Sequence, residues 1–485
     1  MYFSGSGEYF IPLLPVFLAI KLWVMTMDND TIAAIATALS PSGIGIIRMS
    51  GAESFSITDK IFKTKSGKCL NISSKPTHTI HYGYIYDGDE AVDEVLVMKM
   101  DGPRSYTAED TIEINCHGGP YLMKRVLDIV IKYGARAADP GEFTKRAFMN
   151  GRIDLTEAES VMELISSKNE FARRNSLRTL RGSVYKIIEE LREKILHETA
   201  FIEAALDDPE HYDLDGYPPK LRKIVVGLID KVSGLLENSG SGKLLADGIQ
   251  TVIVGKPNAG KSSLLNMLLG EEKAIVTDVA GTTRDAVEAN LKLGEIVLNI
   301  VDTAGIRDTD DTVESIGVDK SKKLADEAEL ILYVIDSSVP LDENDKEIID
   351  IISGHNVIVI LNKSDLETVV CEEDINDMLE CPIVSASAKD EKGIEELKNS
   401  VEKMFFDGVL EHNDEVYITN KRQIESLKNV KESLKLVINS IDSQMSEDLF
   451  SIDLMDAYNC LGSIIGEDTD DDLADKIFSD FCMGK

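Results

Sequence analysis

The chain has 485 residues, 43% hydrophobic and 28% charged, a globular balance too long for one core, so two or three domains are expected. Its formal net charge of −35 excludes a protein that coats nucleic acid through bulk basic charge; any RNA contact must come from a local basic patch or a partner. Six scattered cysteines (Cys69, Cys116, Cys371, Cys381, Cys460, Cys482) with no CxxC pair exclude a disulfide frame or zinc site and point to a reducing, cytoplasmic setting.

Along the chain, Tyr9 to Met25 is mostly apolar ("YFIPLLPVFLAIKLWVM") but short for a membrane span, and Lys21 interrupts it. No basic stretch precedes it and no small-residue cleavage site follows. Residues 1–24 read as a translated upstream extension outside the fold, with the start at Met25 or Met27. No stable membrane association is expected; a membrane tether is the alternative.

Residues 25–150 read as an α+β domain. "GIGIIRMS", "HTIHYGYIY", "DEVLVMKM" and "DTIEINCHGG" are strand-like, and "YLMKRVLDIVIKYG" is helical, stopping at Gly134. Residues 151–247 turn helical. Leu155, Ala158, Val161, Met162 and Ile165 share one face, Thr156 with Glu159 predicts a capping box, and a long helix follows from Tyr185 to Leu206. Residues 248–407 alternate continuous apolar strands with helices, the signature of a mostly parallel sheet covered on both faces. Residues 408–485 are helical again, with stripes at Ile424, Leu427, Val430, Leu434 and Val437 and at Leu454, Tyr458, Leu461 and Ile465. A last helix carries Leu473, Ile477 and Phe478 after the acidic run from Glu467 to Asp472, and the chain ends on "FCMGK". The expected fold is multidomain: an α+β N-terminal domain, an all-α helical domain, and an α/β Ras-like P-loop GTPase domain inserted into it.

"GKPNAGKS", Gly255 to Ser262, matches GxxxxGK[ST] between a strand and a helix. Backbone N–H groups of such a loop wrap phosphates, and the helix N-terminus adds positive potential. Lys261 is expected on the terminal phosphates and Ser262 on Mg²⁺. "AGTTRD" supplies Thr283 as a second Mg²⁺ hydroxyl and γ-phosphate sensor. "DTAG" supplies Asp302 for the metal's outer shell and Gly305 for a backbone contact to the γ-phosphate. In "NKSD", Asp365 accepts from the guanine N1 and N2 edge and Asn362 reaches its other side. Adenine lacks that donor pair, so GTP is preferred over ATP. "SAS", Ser385 to Ser387, fits the last base loop. Where Ras-like GTPases carry a water-orienting Gln, this chain has Ile306, and neither Arg284 nor Arg307 is an evident finger, so another charge and another water-holder are needed.

Taken together, "DNDTIAAIAT", "GIGIIRMSG", "SYTAEDTIEINCHGGP", "DPGEFTKRAFMNGRIDLTEAESVMELI", "GKPNAGKSSLLNMLL", "AIVTDVAGTTRD", "DTAGIRDTDDTVESIG" and the final "CMGK" resemble the tRNA-modification GTPase MnmE (TrmE) family, from about Asp28 to Lys485. The resemblance implies a homodimer formed through the N-terminal domain, which would bind 5-formyltetrahydrofolate. It implies a partner, MnmG, an FAD and NADH protein, with which a (carboxymethyl)aminomethyl group is placed at C5 of the wobble uridine of tRNA. It further implies that K⁺ and GTP pair the G domains, with K⁺ in the role of an arginine finger.

Carried onto this chain, K⁺ falls to Asn258, Thr277, Val279 and Thr282, and Glu314 becomes the catalytic glutamate that orients water. The GTP set is then Asn258, Ala259, Gly260, Lys261, Ser262 and Ser263; Thr277, Asp278, Val279, Ala280, Gly281, Thr282 and Thr283; Asp302, Thr303, Ala304 and Gly305; Asn362, Lys363 and Asp365; and Ser385, Ala386 and Ser387. Folate falls to Arg48, Glu113, Arg152 and Lys485. Arg152 departs in type from members with Lys there; Arg pairs with a carboxylate as a fork and Lys as a point charge. Cys482 would sit beside the folate as a nucleophile toward a one-carbon unit or uridine. Arg173, Arg174, Arg178 and Arg181 form a basic segment for RNA phosphate or a solvated helix face. The alternatives are a ribosome-assembly GTPase of the Era or Der kind, and a GTP switch whose partner does all the tRNA chemistry.

Overall fold

The computed structural model describes residues 30–485 except 213, 271–288, 302–325, 327, 391, 407–415, 468–470, 480, 482, 483 and 485. The chain divides into two compact units, 1–158 with 468–485, and 159–467.

The first unit is built on a seven-stranded sheet: β1 (Ile32–Ile35), β2 (Ser42–Ser50), β3 (Phe62–Thr64), β4 (Thr79–Asp87), β5 (Glu90–Met100), β6 (Thr111–Gly118) and β7 (Arg136–Ala137), in the order β3-β4-β5-β6-β2-β1-β7. All pairs are antiparallel except β1 with β7. Side chains alternate across a strand. Ile47, Met49, Val97, Ile112 and Ile114 therefore pack on one face with α1 (Ser54–Ile61) and α2 (Pro120–Lys132). Arg48 and Glu113, paired in register, turn to the other face, where Phe143 of α3 (Glu142–Met149) packs on Ile32 and Ala34.

The end of the chain docks on this unit. In the C-terminal helix Asp471–Ser479, Phe478 stacks between Phe148 and Phe481, with ring centroids 6.1 and 5.1 Å away, and Lys145 pairs with Asp475. Gly141, at φ 68°, makes that approach possible, since a Cβ there would lie 2.3 Å from the Phe478 carbonyl.

The second unit opens with helices α4 (Leu155–Ser166, entering from the first unit), α5 (Glu170–Thr179), α6 (Ser183–Asp207) and α7 (Tyr217–Asp247). The capping box of α4 lies two residues before the predicted pair. The Asp154 carboxylate accepts from the N–H groups of Thr156 (2.7 Å) and Glu157 (3.0 Å), and Glu157 reaches back to the Asp154 N–H at 3.0 Å. Asp154 directly precedes the helix, so its carboxylate meets the orphan donors before Thr156 can. Ile165 also departs from expectation, at 49% exposed.

A six-stranded sheet follows: β8 (Ile249–Val254), β9 (Ala289–Leu293), β10 (Ile296–Ile300), β11 (Leu330–Asp336), β12 (Val357–Asn362) and β13 (Ile383–Ser385), ordered β13-β12-β11-β8-β10-β9. It is parallel except for β9, an antiparallel edge strand. Both faces are covered. Ile253, Leu332, Val334 and Ile360 pack against α8 (Lys261–Gly270) and α11 (Ile394–Phe405) through Leu264, Leu265, Leu397 and Val401. Val252, Tyr333, Val359 and Leu361 pack against α9 (Glu343–Ile352) and α10 (Glu372–Asn376) through Ile349, Ile352 and Ile375.

The chain then returns to the helices with α12 (Lys421–Asp442) and α13 (Asp448–Ile465). Leu427, Val430, Leu434, Val437, Leu454 and Leu461 join Ile188, Ile195, Leu221 and Val225 in one core, while Ile424 and Tyr458 are only partly buried at its edge. Among the described residues no helix is long and apolar enough to cross a membrane.

Candidate functional site

The first site forms at the ends of parallel strands, where an open α/β sheet leaves a crevice for a ligand. The phosphate loop leaves β8 at Gly255 and enters α8 at Lys261. Its path is tight. A Cβ on Gly255 would lie 2.3 Å from the Val334 carbonyl, and one on Gly260 would lie 2.1 Å from Asn362 Nδ2. Asn258 takes the left-handed conformation at φ 64° and is exposed on the loop. Lys261 Nζ donates to the carbonyls of Gly255 (2.7 Å) and Lys256 (2.8 Å), and burial holds its pKa below the ordinary lysine value. Ser262 and Ser263 lie in the first turn of α8, where backbone N–H groups and the helix dipole favour an anion.

The base-recognition loops meet this loop directly. Asn362 is 1% exposed and its Nδ2 donates to the Ala259 carbonyl at 3.0 Å, while its Oδ1 is buried with no partner among the described residues. Asp365 accepts from Ser387 Oγ at 3.0 Å and lies 3.6 Å from Lys389; the hydroxyl above all, with the lysine, holds its carboxyl below the usual range. Lys363, at φ 62°, pairs with Asp336 at 2.5 Å. The Ala386 N–H donates to Leu361 at 2.9 Å and the Ser364 N–H to Ala386 at 3.0 Å, which registers the Ser385–Ser387 stretch beside the NKSD loop. The carboxylate of Asp365 and the buried acceptor of Asn362 suit a base that presents N–H donors.

Thr277, Asp278, Val279, Ala280, Gly281, Thr282, Thr283, Asp302, Thr303, Ala304, Gly305 and Glu314 lie outside the described residues, as do Arg284, Ile306 and Arg307. One support of the phosphate loop was not anticipated. Lys256 Nζ meets Asp345 at 2.6 Å and Asp342 at 3.0 Å, and the Tyr333 hydroxyl donates to Asp345 at 2.9 Å. These partners stand far apart in the chain, so no spacing announces them.

A second site lies on the first unit. Arg48 meets one oxygen of Glu113 through Nε (2.9 Å) and Nη2 (2.8 Å), and its Nη1 donates to the Gly484 carbonyl at 3.1 Å. Gly484 is at φ 84°, and a Cβ there would lie 2.4 Å from the Ile35 carbonyl, so Gly484 lies close against β1. Two guanidiniums lie near the Tyr106 ring, with Arg48 Cζ 5.4 Å and Arg152 Cζ 5.0 Å from its centroid. Arg152 Nη1 also donates to the Tyr106 carbonyl at 2.8 Å, and the Tyr106 hydroxyl bonds Thr144 Oγ1 at 2.9 Å. The loop around Tyr106 is pinned below. Ser50 Oγ meets Thr107 Oγ1 at 2.6 Å and Glu109 at 2.7 Å, and Arg146 joins Glu109, Asp30 and Glu142.

Three of the four folate candidates, Arg48, Glu113 and Arg152, are thus brought to one place around Tyr106. Lys485 and Cys482 lie outside the described residues. The donor set fits a folate: carboxylate and arginines for its polar ends, and an aromatic ring beside them. Tyr106 and its support at Glu109 were missed as individual residues, although "SYTAED" contains both.

The basic segment of α5 is less open to phosphate than expected. Arg173 and Arg174 both pair with Glu170, at 2.6 and 2.8 Å, as helical i, i+3 and i, i+4 neighbours. A cavity of about 440 Å³ lies where α4, α5 and α7 meet β8 and β10, lined by Glu163, Lys168, Asn175, Asp247, Asn299 and Thr419 among others. Burial, then the neighbouring charges of Glu159 and Asp247, push the Glu163 carboxyl up to about 7. Glu159 itself accepts a fork from Arg422, at 2.8 and 2.9 Å.

Comparison with known proteins agrees with this arrangement. Residues 31–152 match the family model for the GTP-binding protein TrmE N-terminus, and residues 155–482 match the MnmE helical domain. The tRNA modification GTPase MnmE of Lachnoclostridium phytofermentans is 54% identical over 459 residues, covering 95% of this chain and 100% of that protein. The proteins of the same name from Lactobacillus gasseri and Staphylococcus epidermidis are 43% and 42% identical, covering 94% and 95% of this chain and 98% and 100% of theirs. A P-loop joined to its base-recognition loop, in a chain matched along nearly its whole length, leads to one assignment: this chain belongs to the MnmE (TrmE) family of tRNA-modification GTPases.

Proposed function

We propose that this chain hydrolyses GTP to drive modification of the wobble uridine of tRNA, placing a (carboxymethyl)aminomethyl group at C5 together with MnmG, as a cytoplasmic homodimer. The observation that carries the reading is the Asn362 to Ala259 hydrogen bond, which joins base recognition to the phosphate loop in one rigid cradle. Lys261 is poised there on two loop carbonyls, which a phosphate oxygen can replace with a stronger charge-assisted bond. Asp365 selects guanine, since it accepts from the N1 and N2 donors.

Ser262 and Thr283 would hold Mg²⁺, and Asn258, Thr277, Val279 and Thr282 would hold K⁺; both ions would supply positive charge beside the phosphates. Glu314 would orient water. Arg48, Glu113, Arg152 and Lys485 would hold 5-formyltetrahydrofolate, which would supply a one-carbon unit, and Cys482 would be the candidate nucleophile.

The test is GTP turnover by the purified full chain in KCl and in NaCl, with Asn258→Ala beside the wild type. Turnover should rise strongly in K⁺, and Asn258→Ala should lose that response. Equal rates in the two salts sink the K⁺ assignment. Nucleoside analysis of tRNA from cells lacking the protein tests the rest: an unchanged wobble uridine profile would refute the tRNA role.

A further inference from the structure

The phosphate loop carries two lysines, and they are held in opposite ways. Lys261 Nζ rests on the neutral carbonyls of Gly255 and Lys256. Lys256 Nζ is bound instead by two carboxylates, Asp345 Oδ2 at 2.6 Å and Asp342 Oδ2 at 3.0 Å, and its side chain is only 18% exposed. Burial works against its charge, but Asp345 and then Asp342 outweigh burial and hold its pKa above the ordinary lysine value. An ammonium committed to two carboxylates has little left to offer a phosphate.

Both carboxylates belong to the start of α9. Asp342 caps that helix. Its Oδ1 accepts from the N–H groups of Asn344 (2.9 Å) and Asp345 (3.2 Å), and Asp345 Oδ2 accepts in return from the Asp342 N–H at 2.9 Å. Asp345 is 1% exposed, and the Tyr333 hydroxyl of β11 holds its other oxygen at 2.9 Å. The capping box that starts the helix therefore also anchors Lys256. The backbone of Lys256 makes the second connection. Its carbonyl accepts from the Ala259 N–H at 3.3 Å and from Lys261 Nζ at 2.8 Å. The first bond closes a turn with Pro257 and Asn258 at its centre, Asn258 at φ 64°, a conformation that asparagine tolerates. The second sets where Lys261 waits.

We infer that Lys256 is a positioning residue of the nucleotide site: tied to the capping box of α9, it fixes the Lys256–Ala259 turn and the resting place of Lys261, and it touches no phosphate itself. The inference rests on the GTP reading above and adds a residue to it. Without the tether the turn is free to shift, and the backbone N–H groups that wrap the phosphates lose their alignment.

The experiment is calorimetric titration of the full chain with GDP, beside steady-state GTP turnover in KCl. Lys256→Met should weaken GDP binding about tenfold and raise the KM for GTP by a like factor, with kcat within about threefold, because the loop wraps phosphates in the ground and transition states alike. Lys256→Arg can still meet both carboxylates and should bind GDP within about threefold of wild type. Asp345→Asn should weaken GDP in the same direction, and its combination with Lys256→Met should be no weaker than the weaker single variant. If the methionine variant does not fold, Asp345→Asn decides, and unchanged GDP binding there overturns the inference. So does unchanged GDP binding in Lys256→Met, or a failure of Lys256→Arg to bind better than Lys256→Met. Losses that multiply in the double variant would place Lys256 on the nucleotide directly and overturn it too. A wild type that neither binds GDP nor hydrolyses GTP refutes the GTP reading, and the inference falls with it.

Discussion

Lys261 and Arg48 are both cations at the centre of a site, but they are held by partners of different kinds. Lys261 rests on two neutral carbonyls of its own loop, those of Gly255 and Lys256. Arg48 rests on a carboxylate from β6 and a carbonyl from the far end of the chain. A half-buried ammonium on neutral acceptors keeps its charge unanswered, so an incoming phosphate gains a charge-assisted interaction. A guanidinium already paired with a carboxylate gains little from a second anion. Its removal instead strands the first one. One cation rests on neutral acceptors alone, and the other is already paired with a carboxylate.

The largest test of that contrast is Lys261→Ala. GTP turnover, read as phosphate release, should fall about a hundredfold or more, with the melting temperature nearly unchanged. Arg48→Ala should do the opposite. It should leave GTP turnover near wild type but cost the first unit about 3 kcal/mol in urea unfolding, because Glu113 loses its counter-charge. The double change Arg48→Met with Glu113→Leu should recover most of that loss. If the single and double variants are equally unstable, the pair is not the cause.

A third prediction sets a carboxylate pushed by burial and like charges against these paired groups. The Glu163 carboxyl is raised to about 7 by burial and by Glu159 and Asp247, against 4.5 unperturbed. The folded state therefore holds an extra proton between those values, so stability is lost as pH rises from about 4.5 through 7. Glu163→Gln removes that loss. Its advantage over wild type in thermal melts should grow from pH 5 to pH 8, to about 2 to 3 kcal/mol. A constant offset across that range would refute the shift.

The smallest expected effect is Gly484→Ala. The added methyl meets the Ile35 carbonyl at 2.4 Å and the backbone sits at φ 84°, so the tail should loosen by about 1 to 2 kcal/mol. Hydrogen exchange in the helix Asp471–Ser479 should quicken while the protection of β8 and β12 is unchanged. Equal protection of that helix in both proteins would show that Gly484 is not its latch.

The P-loop and base-recognition motifs were legible because each is local. A loop that wraps phosphate must combine glycines, a lysine and a hydroxyl within a few residues, and a base pocket needs Asp365 and Asn362 within one turn. The apolar strands Leu330–Asp336 and Val357–Asn362 announced a sheet buried on both faces. β9 was missed because this edge strand alternates, with Leu291 and Leu293 buried and Lys292 exposed, and so lacks that continuous apolar run. The α4 cap was misplaced because Thr156 with Glu159 has the spacing of a capping box, and spacing does not show that Glu159 is claimed by Arg422 from a distant helix.

The sequence by itself determined the kind of domains, the phosphate and base motifs, and the identity of the family, since local spacing and periodicity carry them. Only the tertiary structure decided what Arg48, Tyr106, Arg152 and Gly484 do. They come from four separated stretches, and whether an arginine meets a carboxylate or a backbone carbonyl depends on distances that no spacing in the chain encodes. Sheet register set Arg48 against Glu113, the Tyr106 ring came near both guanidiniums, and the Gly484 carbonyl took a further Arg48 donor.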